Sequence, residues 1–251
     1  MEKINGHQKG LYKEYERQGC KRYFDRYEKY LKGFKGKHNL KILDIGGASG
    51  HFAYLLKQYF AENEVEVFVV DMMEYNTWRK DELGSDIHFV CESVENLSSL
   101  FSEKSFDIIF ANRVFHHLID KTWVKTLNGM ECCMSVIRSL LKEGGMLCIM
   151  DHFYNGIIAD SSTSFLIYIL TSIKNPAFAR LVKKLGAEAA GVGVCFQSEK
   201  MWMKRLEKCG FDIKYVERSE YYRLSGIKRI GLLSKNVSRN NIICAVSRKD
   251  S

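Results

Sequence analysis

Three groups of residues in this 251-residue chain have the types and spacing to do chemistry. The first is Lys41-Ile42-Leu43-Asp44-Ile45-Gly46-Gly47-Ala48-Ser49-Gly50, an apolar run, an acid and a glycine-rich turn. His51-Phe52-Ala53-Tyr54-Leu55-Leu56 follows with apolar residues at helical spacing, so the turn joins a buried strand to a helix. Glycines there let the backbone bend sharply and let a ligand lie on bare peptide N–H groups at the positive end of the helix, as in a nucleotide-type pocket. The second is Asp71, which ends the strand-like run 64–70, 21 residues beyond Gly50, where a carboxylate can accept from both hydroxyls of a ribose. The third comprises His116-His117 and the trio Asp151, His152 and Tyr154, each following an apolar strand. Histidine titrates near neutrality, so these positions suit acid–base work or substrate contacts.

The details of the turn discriminate between nucleotides. A dinucleotide fingerprint has glycine at its first, third and sixth positions. Counting from Gly46, those last two positions hold Ala48 and His51, so the NAD pattern fails twice. What remains, an acid two residues before Gly46 and another glycine at Gly50, resembles the first motif of class I S-adenosylmethionine-dependent methyltransferases. Phe106-Asp107-Ile108-Ile109-Phe110-Ala111-Asn112 with Phe115-His116-His117-Leu118 resembles the fourth-strand pattern of the same family, and Glu143 stands where the family usually writes proline. The resemblance covers about residues 38–152 well and 198–248 loosely.

It implies S-adenosyl-L-methionine as cofactor. In that reading Asp44 orders the turn and reaches the amino acid end of the cofactor through water, and Gly46, Gly47, Ala48 and Gly50 pack against it. Asp71 takes the ribose, Met72 lies against adenine, Glu92 accepts from the adenine amino group and the backbone N–H of Ser93 reaches the ring, with Glu95 the alternative in a shifted register. The backbone carbonyl of Asn112 faces the methionine ammonium, which brings His116 and His117 near the sulfonium methyl. His117 and His152 are the candidate general bases. No residue set reads as a metal site.

These residues need a scaffold that gathers them at one edge. The expected fold is α/β: a doubly wound, mostly parallel seven-stranded sheet with helices on both faces and an antiparallel last strand. One methyltransferase domain is expected over 1–251, divided into an N-terminal helical lid (1–37), a cofactor-binding core (38–152), an inserted helical substrate or cap segment (153–197) and a C-terminal helix and strand pair (198–251). Aromatic residues recur every three or four positions from Tyr12 to Tyr30, so the first helix either closes over the ligand or caps the sheet. The insertion has an apolar face that could line a substrate pocket, touch a membrane or form a dimer contact, and Gly186, Gly191 and Gly193 give it a hinge.

Composition narrows the partners. Residues 1–41 carry 12 Lys/Arg against 5 Asp/Glu and residues 200–251 carry 13 against 5, whereas 42–199 carry 13 against 20. Basic ends of this kind are solvated helix faces or a docking surface for an anionic substrate or an acidic partner. The eight cysteines show no C-x-x-C pair and sit mostly in apolar patterns, as reduced core thiols do. Met1 to Gly6 lacks the apolar core of a secretory leader, and no run approaches the roughly 18 apolar residues of a membrane span, so the expected location is cytoplasmic. The expected function is transfer of a methyl group to an O, N, S or C atom of a small, hydrophobic or anionic molecule. RNA or a carrier protein as methyl acceptor, and a non-catalytic cofactor-binding module, are the alternatives. Asn112-Arg113-Val114-Phe115 replaces the Asn-Pro-Pro-Tyr segment of amino-methylating nucleic-acid enzymes, so nucleic acid is not the expected partner.

Overall fold

The computed structural model describes residues 6–75, 87–187 and 189–247, and residues 6–17 by backbone alone. Tyr12 and Tyr15, part of the proposed lid, therefore lie outside the described side chains. Seven strands, β1 (Lys41–Ile45), β2 (Glu66–Asp71), β3 (Ile87–Cys91), β4 (Phe106–Asn112), β5 (Leu141–Gly156), β6 (Phe211–Glu217) and β7 (Ser234–Ser247), form one sheet in the order β3-β2-β1-β4-β5-β7-β6. Pairing is parallel from β3 through β5, and β7 runs antiparallel between β5 and β6.

Strand order reverses between β1 and β4, which opens a crevice at their carboxyl ends, where open α/β sheets hold ligands. Every chemistry-bearing group named above lies at that edge.

The central strands read as continuous apolar runs because both faces are covered. On one face Ile42, Ile108, Phe110, Cys148 and Cys244 pack with Tyr27 and Leu31 of α1 (Gly6–Leu31) and Phe52 and Leu56 of α2 (His51–Tyr59). On the other, Leu43, Ile109 and Ile149 pack with Met130, Met134 and Ile137 of α4 (Trp123–Leu140) and with Trp202 and Leu206 of α7 (Glu199–Lys208); the short α3 (Leu97–Leu100) closes that layer. Alternation along each strand thus feeds two separate cores.

Two strands are longer than the sequence suggests. β5 continues through Phe153 to Gly156, so the first four residues assigned to the insertion extend the sheet, and β7 starts at Ser234 to pair with them. The insertion proper then holds α5 (Asp160–Ser172) and α6 (Pro176–Lys184), and α8 (Gly226–Gly231) precedes β7. Asn175 caps α6 through Oδ1, and Ser198 caps α7 by accepting from the Met201 N–H at 3.1 Å. Four cysteines (133, 148, 195 and 244) are buried, but Cys91 and Cys132 are exposed, so core packing accounts for only part of the set.

Candidate active site

The glycine turn is built to leave no room. Gly46 adopts φ +68°, and a β-carbon there would stand 2.4 Å from a methyl of Val114, while one on Gly47 would stand 2.5 Å from Asp44 Oδ2. Gly50, at φ +81°, is the residue before α2 and makes no side-chain cap, so the N–H groups of the first turn face the crevice without intrahelical partners. Gly46 donates its N–H to the Val70 carbonyl at 2.7 Å, and Ala48 donates to Asp71 Oδ2 at 3.1 Å, which ties the turn to the tip of β2. Asp71 also accepts from the Met73 N–H through Oδ1. Met72 beside it is 74% exposed, a free apolar flank at the crevice edge.

Asp44 is buried beneath this turn, and its Oδ2 has no hydrogen-bond partner. Burial, reinforced by the nearby charge of Asp71, pushes its pKa up to about 8. An orphaned buried carboxylate oxygen under a turn whose β-carbons are excluded fits a ligand that brings a cation or ordered water, and an amino acid ammonium is such a group. On the next strand, Glu92 Oε1 accepts from the Ser93 N–H at 2.7 Å and from Asn96 Nδ2 at 3.0 Å, which holds its pKa low. The Ser93 hydroxyl caps the following turn. The Ser93 N–H is therefore engaged locally, and both of these bonds fall on Oε1 of Glu92.

The other wall of the crevice is assembled from β4, β5 and the returning end of the insertion. Asn112 ends β4, and its Oδ1 accepts from the hydroxyl of buried Tyr27 at 2.7 Å, so α1 seals this end. Arg113 then takes φ +59°, a left-handed conformation that turns residues 114–118 across the glycine loop. His116 is buried with its Nδ1 2.8 Å from Asp151 Oδ1, and Asp151, also buried, accepts from the His152 N–H at 2.7 Å through the same oxygen. A carboxylate can only accept, so Nδ1 of His116 carries the proton and Nε2 is its basic nitrogen.

His152 has the opposite arrangement. The backbone N–H of Asn240 donates to its Nδ1 at 3.0 Å, which places the proton of the neutral ring on Nε2. Burial pulls its pKa down to about 4 against the opposing charge of Asp151. His117 is also lowered to about 4, first by desolvation and then by His116, although its ring reaches solvent at the mouth. Phe196 lies against this group, 4.5 Å from the His116 ring, 5.4 Å from His152 and 5.0 Å from Tyr154 with which it stacks. Two backbone bonds hold it there: Cys195 N–H to the His116 carbonyl at 2.8 Å and Tyr154 N–H to the Gln197 carbonyl at 3.0 Å. Burial raises the Tyr154 hydroxyl to about 12, so it stays protonated.

The structure thus brings Asp44, Gly46, Gly47, Ala48, Gly50 and Asp71 into one cradle, with Met72, Glu92 and Ser93 on its rim and Asn112, His117 and His152 across the crevice. Sequence reasoning passed over three contributors: His116 as the partner of Asp151, Phe196, and Asn240. The first was signalled by its position, since His116 follows the end of β4 and Asp151 follows the apolar run of the neighbouring parallel strand β5. Phe196 and Asn240 carry no local signal. Among the described residues no cluster of His, Cys, Asp and Glu has the makings of a metal site.

A family model described as a methyltransferase domain matches residues 36–204. Malonyl-[acyl-carrier protein] O-methyltransferase 1 of Ilyobacter polytropus is 28% identical over 99 residues, which are 39% of this chain and 35% of that protein, so the match spans about a third of the relative. The YcgJ protein of Bacillus subtilis superposes with a TM-score of 0.58 at 16% identity, over 88% of this chain and 97% of that one. Magnesium protoporphyrin IX methyltransferase of Synechocystis, solved with bound S-adenosylhomocysteine, superposes with a TM-score of 0.55 at 16% identity, over 99% and 90% of the two chains. At such identities the structural likenesses speak for the fold, and the family model, which covers about two-thirds of the chain, speaks for the family. The protein belongs to the S-adenosylmethionine-dependent methyltransferases of Rossmann-like fold.

Proposed function

We propose that this chain methylates a small molecule at the crevice beyond the carboxyl ends of β1 and β4, holding S-adenosylmethionine through Asp44, Gly46, Gly47, Ala48, Gly50, Asp71, Met72, Glu92, Ser93 and Asn112. The observation that carries the reading is the unpartnered Asp44 carboxylate oxygen buried under a turn that has no room for a β-carbon at Gly46 or Gly47. The cofactor, when bound, supplies an activated methyl on a sulfonium. The protein has to align the acceptor and exclude water. Phe196, Tyr154 and the imidazole faces form an apolar wall for that alignment. His152 donates from Nε2 to an acceptor oxygen or nitrogen, and His117 lines the mouth. Where the acceptor carries a proton, Nε2 of His116 is the base and Asp151 stabilises the imidazolium. This arrangement gives the role of base to His116 and the role of donor to His152.

The test is calorimetric titration with S-adenosylhomocysteine, beside NADH, on the wild type and on Asp71→Ala. Micromolar binding of S-adenosylhomocysteine that is lost in the variant is the expected result; preference for NADH would overturn the assignment.

A second reading, an acceptor presented on an acidic carrier protein, draws support from the substrate in the Ilyobacter relative's name and from the basic ends of this chain. Salt-sensitive retention of the protein on immobilised acyl carrier protein would favour it.

A further inference from the structure

Among the described residues, ten of the seventeen large apolar side chains exposed to solvent fall within 157–192 and 226–231, about a sixth of the chain. Ile158, Val192, Ile227 and Ile230 are exposed by 80%, 74%, 82% and 73%, and Leu181 and Leu185 by half or more. Soluble proteins scatter such residues singly, whereas a concentration of them marks a surface that meets something.

These stretches adjoin one another. A β-carbon on Gly186, just past α6, would stand 2.9 Å from Lys228 Nζ of α8. Both the Ile157 N–H and the Thr163 hydroxyl donate to the Leu233 carbonyl just beyond α8, at 2.8 and 2.9 Å. Gly191 donates to the Thr171 carbonyl at 2.7 Å, which folds the return of the insertion onto α5. The same face is cationic. Lys174, Arg180, Lys183, Lys184 and Lys228 are all exposed, and by sequence the two stretches hold six Lys/Arg against two Asp/Glu. One of those acids, Asp160, is occupied by the Gly156 N–H at 2.7 Å.

We propose that this face docks the protein on the surface of an anionic lipid bilayer, with Leu181, Leu185, Ile227 and Ile230 reaching below the headgroups and the lysines meeting lipid phosphates. This inference goes beyond the methyltransferase reading and does not depend on it. Charge selects among the occupants. A second copy in a two-fold dimer would bring five cations against five cations. An acidic protein would answer the charge but leave the protruding apolar tips unburied. An anionic bilayer accepts both, and isolated basic residues beside protruding apolar ones are the pattern of interfacial helices. The docking is peripheral, since among the described residues no helix is long and apolar enough to cross a membrane.

The test is sedimentation of the full chain with vesicles of phosphatidylcholine alone and of phosphatidylcholine containing a quarter phosphatidylglycerol. Partition should favour the anionic vesicles about tenfold, fall about tenfold in I227S/I230S and in K183Q/K184Q, and stay unchanged in Val124→Ser, an exposed position on α4. Thermal melts confirm that each variant is folded. Equal partition on both vesicle types, or an unimpaired I227S/I230S, would overturn the proposal. So would a dimer in light scattering that I227S/I230S dissociates, or retention on acyl carrier protein without vesicle partition. Calorimetry with S-adenosylhomocysteine on the same samples separates the two readings: cofactor binding without vesicle partition removes only the docking, and the reverse removes only the methyltransferase site.

Discussion

The backbone N–H of Asn240 on β7 reaches across 88 residues of sequence to Nδ1 of His152 on β5, and this bond decides which nitrogen of that ring carries the proton. Nitrogen NMR should show Nε2 protonated and Nδ1 bare down to a pH near 4. The folded ring titrates at about 4 and an unfolded one at 6.5, so the unfolded state binds the proton first. Stability therefore falls as pH drops from 6.5 towards 4 on account of this residue, by at most about 1.4 kcal/mol per pH unit. His152→Gln should flatten that slope in urea denaturation over a pH series.

Asp44 has the opposite sign. Its folded pKa is raised from 3.8 to about 8, so the unliganded chain loses stability as pH rises between those values. Asp44→Asn should stabilise the unliganded protein increasingly up to a pH near 8 while weakening S-adenosylhomocysteine, because the ammonium loses its counter-charge. In the wild type at neutral pH, binding should release a proton, visible as a dependence of the calorimetric heat on buffer ionisation enthalpy.

Gly46→Ala meets two obstacles at once, a left-handed φ and the Val114 methyl. Backbone strain and overpacking each cost on the order of 1–3 kcal/mol. A fall in thermal midpoint of several degrees with loss of S-adenosylhomocysteine binding is the expected outcome, and Val114→Ala should recover part of the stability but not the strain.

Tyr27→Phe removes one hydroxyl from a fully buried ring and leaves Asn112 Oδ1 without its donor. The expected loss is about 1–3 kcal/mol in denaturant unfolding. Because Asn112 ends β4 at the crevice proposed to hold the cofactor, cofactor affinity should fall with it, whereas Tyr23→Phe, which keeps the ring against the core and removes a hydroxyl 3.5 Å from exposed Arg113, should leave both nearly unchanged.

Much of this was legible in the residues. β1, β4 and the capped α7 follow from apolar runs, turn glycines and Ser198, all local signals. The extensions of β5 and β7 do not, because residues 153–156 and the polar run 234–238 become strand only by pairing with each other across the sheet. The glycine turn and the carboxylates beside it lie in short stretches around Asp44 and Asp71, so their meeting was readable from local sequence. The opposite wall is assembled from residues 116, 151, 196 and 240 with His152, whose meeting depends on strand register and on the path of the insertion, and nothing in the immediate neighbourhood of Phe196 announces it.

The insertion leaves the sheet at Gly156 and comes back at Gln197, which bridges Phe153, so its two ends are fastened side by side on the edge of the core. Helices held at both ends by a common anchor can be exchanged as a cassette. The segment between those two points can then vary in sequence and length without disturbing the strands of the core.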